Sequence, residues 1–453
     1  MINPAQLYAH VYEIGKRCLA DARAALGVGE ETTNTTAMED ATALNSLFWP
    51  RKSLVELGNT AAVACGEGPY LSLRAFKTPS VDGTAVSIEE MSKGVFLMQN
   101  DQLQVKVENG VITSLYDRRS DREVLSGKAN QFVIFDDKPL YWQAWDVEVF
   151  HLDSRKELPV HDTQISENKS YRVSLTSRVK ISEKSNLVST ISLSAALKGQ
   201  QSYVEVSTEV DWHEDMKFLK VEFPVGLRNT EASYETQYGI VKRPTHYNTT
   251  WDMAKFEVCC HKFADLSESN YGVSILNDSK YGFATCGSLM RLSLLRAPKA
   301  PDAHADMGTH KIRYAILPHE GPLGSATVRA GYEFNSPLVL ARKPKTLSTE
   351  APVKLVGDPS IVLDAVKRGE DDVDVSRGDF PVRKDKCVII RLYESLGGRS
   401  RAAIQTTWDV KKITKVNLLE DEIPGEDALE KNDEGNYPIT LRPFEVATYR
   451  LWL

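Results

Sequence analysis

Leu103-Gln104-Val105-Lys106-Val107-Glu108-Asn109-Gly110-Val111-Ile112 is the stretch that decides the fold. Leu103, Val105 and Val107 alternate with Gln102, Gln104 and Lys106, a period of two that belongs to a strand with one buried face. Asn-Gly then supplies the two positive φ angles of a two-residue turn, so these residues predict an antiparallel hairpin lying on a core. The same alternation recurs at Val173, Leu175, Val179 and Ile181. It returns at Val204, Val206, Val210 and Trp212, opposite Tyr203, Glu205, Glu209 and Asp211. One-faced strands fit antiparallel sheets, and two large sheets packed face to face are the economical architecture.

Outward from this centre the texture changes twice. Towards the N-terminus, Leu7, Val11, Ile14, Cys18 and Leu26 form one apolar stripe of a helix that Gly27 ends. A single helix cannot bury such a stripe alone, so it needs a partner surface. No second strong helix precedes it, which suggests a chain that begins partway through a domain. Towards the C-terminus, Pro344, Pro352, Pro359 and Pro381 and the charged run Lys367–Asp372 read as a connection. Strand texture resumes at Val388–Leu392, Ile404–Trp408 and Phe444–Trp452. The expected fold class is mainly β. It places a helix at 1–28, a linker and small β region at 29–91 and a large antiparallel β-sandwich at 92–345. A connection at 346–385 and a small β domain at 386–453 complete the division.

With 453 residues the chain is long enough for two or three domains, and acidic and basic residues are mixed to a net charge of -7. No basic stripe points to nucleic acid or an anionic membrane. Residues 1–30 lack the basic-then-apolar build of a secretory leader, and no apolar run reaches about 18 residues. The expectation is a soluble protein of a reducing compartment. Its six cysteines, without metal-site spacing, are expected to be reduced and mostly buried. The Asn-x-Ser/Thr triplets at Asn34, Asn168, Asn248 and Asn277 then carry no glycan.

Glycosidase chemistry needs two carboxyl groups flanking one bond. Asp146 and Glu148, spaced to face one side of a strand, are the tempting pair, but the pattern is common in acidic proteins. The same holds for Glu214, Asp215 and Asp252. His304, Asp306 and His310 are close in sequence, yet they fall in a loop with Pro298, Pro301 and Gly308, which weakens a metal reading. No Gly-x-Ser-x-Gly turn is present. The density of rings in Tyr141-Trp142-Gln143-Ala144-Trp145-Asp146 is the unusual feature. Such rings either cover the C–H face of a sugar beside hydroxyl-accepting carboxylates, or plug a corner of the sandwich.

The run Asn130–Asp146, with Asp211-Trp212-His213-Glu214 and Leu219–Val225, resembles the cytosolic and vacuolar type of family 38 α-mannosidase. So do Tyr234–Gly239, Arg243–Thr249, Trp251-Asp252 and Leu294–Asp302, continuing to Asp306, Gly308, His310, Tyr314 and Pro318-His319. Asp364–Glu370 and Arg442-Pro443-Phe444-Glu445 extend the resemblance to the C-terminus. Gln143, where an acidic residue is common, and Met216, where a basic or polar one is usual, depart from the pattern.

The resemblance implies a galactose-mutarotase-like supersandwich. It also implies a retaining exo-glycosidase that removes terminal α-mannose from oligosaccharides in the cytoplasm, with the vacuole as a second address. The family's zinc or cobalt ion, nucleophilic aspartate and general acid come from an N-terminal barrel that would precede residue 1. No residue here inherits a catalytic or metal role, no cofactor is expected in this chain, and the chain alone is expected to be inactive. Its partners would be the mannose-terminated oligosaccharide, the missing catalytic half and a second copy of the chain in a homo-oligomer, with neither nucleic acid nor membrane. Substrate contacts are expected from Arg296, Asp306, Trp145 and Asp146. For Arg296 the competing role is a salt bridge that holds its loop. A stand-alone, non-catalytic mannoside-binding or scaffold protein is the alternative.

Overall fold

The computed structural model describes residues 4–28, 38–77, 83–344, 350–372, 375, 382 and 386–453. Asn34, most of the polar stretch after Gly29, and Pro381 lie outside the described residues.

The hairpin forms as its sequence dictates. Leu103–Glu108 pairs with Val111–Asp117, and the turn puts Asn109 at φ 47° and Gly110 at φ 77°. Gly110 is required twice over, because a Cβ there would sit 2.3 Å from Val160 Cγ1 on the facing layer. The hairpin belongs to a five-stranded sheet that runs, in spatial order, Arg122–Glu123, Val111–Asp117, Leu103–Glu108, Val95–Gln99 and Ser87–Ser92. Beside it lies a six-stranded sheet centred on Gln131–Asp136, Lys217–Pro224 and Leu289–Arg296. Together they face a nine-stranded antiparallel sheet running from Val160–Asn168 at one edge to the hairpin of Glu231–Thr236 and Gly239–Pro244 at the other. One apolar cluster, including Phe96, Val105, Phe223, Leu292, Val206 and Ile316, joins all three sheets. The sandwich therefore has one continuous face and one face split in two.

The outer side of the nine-stranded sheet is also covered. The helix Ser325–Asn335 packs Val328 and Phe334 against Phe263, Leu276 and Leu317, and Val362 and Tyr393 of the C-terminal domain join them. That domain has two sheets of its own, three- and four-stranded, around Ile390, Leu392, Ile404 and Leu451.

Three assignments differ from the sequence-based expectation. Val353–Gly357 and Ile361–Arg368, inside the presumed connection 346–385, are strands of the C-terminal domain, each paired along its length. Val339–Arg342, assigned to the sandwich, instead pairs with Ala41–Leu44 and completes a small five-stranded sheet with strands between Arg51 and Ala75. Ser87–Ser92, placed in the linker region, is an edge strand of the sandwich. The N-terminal helix spans Pro4–Ala25 and stops at Gly27, φ 67°, where Val28 donates to the Arg23 carbonyl. Leu7, Val11, Leu19 and Leu26 are each half or more exposed, so the stripe meets no partner among the described residues.

Candidate functional site: a clasped aromatic loop

Three strand ends converge at one corner of the six-stranded sheet. Asp137 follows Gln131–Asp136, Met216 precedes Lys217–Pro224, and Ala297 follows Leu289–Arg296. Main-chain bonds knit them, Asp137 N–H to the Met216 carbonyl and Met216 N–H to the Ala297 carbonyl, both 2.9 Å. Met216 takes φ 50° to make the turn. Buried Trp212 donates its indole N–H to the Arg296 carbonyl at 3.0 Å, anchoring the corner to the nine-stranded sheet.

From this corner Arg296 reaches back across the loop 138–146. Its Nε and Nη2 donate to the two oxygens of Asp137, at 2.7 and 3.1 Å. Nη2 also donates to the carbonyls of Gln143 and Asp146, at 2.9 and 2.6 Å. Gln143 answers by accepting Lys299 N–H on Oε1 at 2.9 Å. The amide at position 143 therefore has a role: as a neutral acceptor it ties the loop to the segment after Arg296. Arg296 is thus a clasp on the aromatic loop, not on its own proline-rich one. Its Nη1 has no partner among the described residues and is the one nitrogen left to meet a ligand.

Burial sets the electrostatics beneath the loop. Desolvation pushes the Asp137 carboxyl above the usual range despite Arg296. Lys220, with no exposed surface, is pushed down by burial and pairs with Glu257 at 2.5 Å. His151 is held among Phe135, Phe218 and Phe256. Burial lowers its pKa to about 4. Its Nδ1–H donates to the Glu148 carbonyl at 2.7 Å, which leaves Nε2 bare and without a partner among the described residues.

On this rigid base the rings stand out from the protein. Trp145 is 89% exposed and Trp142 78%, with Tyr141 and Leu140 close behind. They do not plug a corner of the sandwich. Asp146 is exposed beside them, its Oδ1 accepting Val147 N–H. Arg296, Trp145 and Asp146 are therefore brought together, whereas Asp306 is not part of the clasp. Asp306 is exposed, at φ 58°, with its carbonyl accepting from His310 Nε2 at 2.6 Å.

The other candidates do not assemble. Asp146 and Glu148 lie in a loop and at a 3₁₀ helix start, not on a strand. Asp215 sits between Lys299 and Lys184, which hold its carboxyl down to about 2. Asp252 accepts from Thr249 Oγ1 within its own helical turn. Among the described residues no three His, Cys, Asp or Glu side chains are placed to hold a metal ion. The zinc or cobalt of the resemblance finds no fit among them. Only Cys260 and Cys387 are buried, while Cys18, Cys65 and Cys259 are exposed, contrary to the expectation of mostly buried thiols. Proximity of Cys259 to water follows from its place on a two-residue edge strand. Among the described residues no helix is long and apolar enough to cross a membrane.

Residues 98–304 match the Glycosyl hydrolases family 38 C-terminal domain, and residues 360–449 match that family's C-terminal beta sandwich domain. An alpha-mannosidase of Saccharomyces cerevisiae is 47% identical over 394 residues, which are 82% of this chain and 36% of that protein. Human alpha-mannosidase 2C1 is 36% identical over 98% of this chain and 42% of its own length. The chain thus spans well under half the length of these relatives. In three dimensions it follows the crystal structure of an alpha-mannosidase from Enterococcus faecalis, with TM-score 0.66 and 15% identity, over 95% of this chain and 58% of that one. The mostly β, antiparallel fold, the ordered motifs and these matches agree, and the chain belongs to glycosyl hydrolase family 38, carrying the β domains of that family's C-terminal region.

Proposed function

We propose that this chain is the substrate-facing, scaffolding portion of an α-mannosidase that removes terminal α-mannose from oligosaccharides. In this reading the reacting carboxyl groups and a zinc or cobalt ion come from a catalytic half outside these residues. The observation that carries it is the clasped loop: Trp142 and Trp145 are held out to solvent by a guanidinium that is itself mostly buried. Exposing rings of this size on a pre-set base is useful when they cover the apolar face of a ligand. Trp145 and Asp146 would border the sugar, Arg296 would offer Nη1 to a hydroxyl, and Asp306 would stand further out. Three exposed free thiols support a reducing compartment such as the cytoplasm, with the vacuole kept as the second address that the resemblance implies.

The test is hydrolysis of a chromogenic α-mannoside, with and without zinc or cobalt. The chain alone is expected to give no turnover. The yeast relative with its matching region replaced by this chain is expected to be active, and Trp145→Ala in that chimera to raise KM more than it lowers kcat. Metal-dependent turnover by the chain alone, lost in Asp146→Ala and kept in Arg296→Ala, would overturn the proposal. A chimera that binds mannoside without cleaving it would favour the stand-alone binding protein instead.

A further inference from the structure

A second ligand-sized space lies far from the clasp in sequence, where the sandwich meets the C-terminal domain. It is a half-open cleft of about 950 Å³. One wall is the outer face of the edge hairpin, where Glu231, Ser233, Ile240 and Lys242 point the same way while Ala232 and Tyr234 point into the core. Asp265, directly across from Ser233, forms the floor; its Oδ2 accepts from Ser274 Oγ at 2.6 Å and lies 2.8 Å from His319 Nε2. The opposite wall is Phe444 with Leu396 and Gly397.

Phe444 is unusually fixed for a ring that is 41% exposed. It sits at φ 55° in a turn whose N–H donates to Glu394 Oε2 at 3.1 Å. The same fully buried carboxylate accepts the N–H groups of Leu396, Gly397 and Gly398 at 3.0, 2.7 and 3.0 Å. One acid therefore sets both parts of this wall. Glycines flank the ring: a Cβ at Gly397 would come within 2.8 Å of Phe444 Cζ, and one at Gly239 within 3.0 Å of Cδ1. Facing this ring, the side chains of Arg228, Glu231, Lys242 and Asn270 make no hydrogen bond or ion pair among the described residues.

We propose that this interdomain cleft is a second, non-catalytic binding site for a neutral oligosaccharide. A fixed apolar ring beside unused donors and acceptors of both signs suits a molecule with one C–H face and many hydroxyls. An anion would be opposed by the carboxylates of Glu231 and Glu268, and a cation by Arg228 and Lys242. Clefts between domains are a common place for small ligands, and this volume holds two or three sugar rings. The inference rests on the mannoside reading only for the choice of mannose as the sugar.

The test is hydrogen–deuterium exchange and calorimetric titration of this chain with mannotriose. Mannotriose is expected to protect residues 228–244 and 442–446, and Phe444→Ala to weaken that binding about tenfold, the upper range for one aromatic face. Because Phe444→Ala can disturb its own turn, the double variant Glu231→Gln/Lys242→Met, which leaves the ring in place, is expected to weaken it about fivefold or more. Trp145→Ala is expected to leave protection of the cleft unchanged. No protection at about 20 mM mannotriose, or protection that survives in both cleft variants, would overturn the proposal. An inactive chimera would sink the α-mannosidase reading while leaving this measurement untouched.

Discussion

Replacing Arg296 with methionine tests the clasp directly. The change keeps an apolar stem but removes the only guanidinium among the described residues that meets Asp137, whose side chain is 2% exposed. Removing one partner of a buried pair leaves an uncompensated charge and costs about 3–5 kcal/mol. Arg296 retains some solvent, at 19% of its side chain, and Lys220 also attracts Asp137, so the lower end, about 3 kcal/mol, is expected. The carbonyls of Gln143 and Asp146 lose their donor at the same time, so the loop should loosen beyond what global stability alone explains. Urea unfolding of the sandwich measures the first effect, and hydrogen exchange across residues 138–146 measures the second. Adding Asp137→Asn removes the stranded charge and is expected to recover more than half of the lost stability. If Arg296→Met stays within about 0.5 kcal/mol of the parent, the effect of an ordinary surface change, and the loop exchanges as before, the clasp is not what holds the rings.

Further expectations follow from other contacts. His151, with its pKa lowered to about 4, binds a proton less readily folded than unfolded. The protein should therefore lose stability as pH falls from about 6.5 to about 4, by up to about 3 kcal/mol from this group, and His151→Phe should flatten that slope in pH-dependent urea melts. Gly110→Ala should cost about 2–3 kcal/mol in urea, through both its positive φ and its clash with Val160; a loss under about 1 kcal/mol would show that the turn relaxes freely. Light scattering of the chain should show self-association, and Leu7→Glu/Val11→Glu/Leu19→Lys should abolish it; a monodisperse parent would refute that role for the helix. Trp145→Ala should change stability by no more than about 0.5 kcal/mol, because its ring is almost wholly in water.

What could be read in the sequence was what repeats locally. The pairs around Asn109-Gly110 and the alternation at Val204–Trp212 signal buried faces, and the strand Val204–Trp212 alternates inward and outward as its residues demand. Proline misled where it borders strands without entering them: Pro352 immediately precedes Val353–Gly357, and Pro359 lies in the turn before Ile361–Arg368. The helix Ser325–Asn335 escaped notice because Val328, Tyr332 and Phe334 make too short an apolar stripe to mark a helical period, and tertiary packing supplies its stability. Tyr141–Asp146 announced a site by composition, but not whether its rings were in or out. That depends on Asp137 and Arg296, which are 159 positions apart. The cleft at Phe444 draws on still more distant segments, so no window of sequence displays it.

The pairing of Ala41–Leu44 with Val339–Arg342 has a mechanical consequence. Chain enters and leaves the great sandwich through neighbouring antiparallel strands, so its two ends are pinned side by side. Whatever is joined ahead of residue 41 and the domain that follows residue 350 are gathered at that pair of ribbons. Because Val362 and Tyr393 pack with Phe263 and Leu317 on the sandwich's outer face, the domain beyond residue 350 is braced there as well as tethered at the ribbons. Cross-linking the ribbons would staple entry to exit without touching either binding surface.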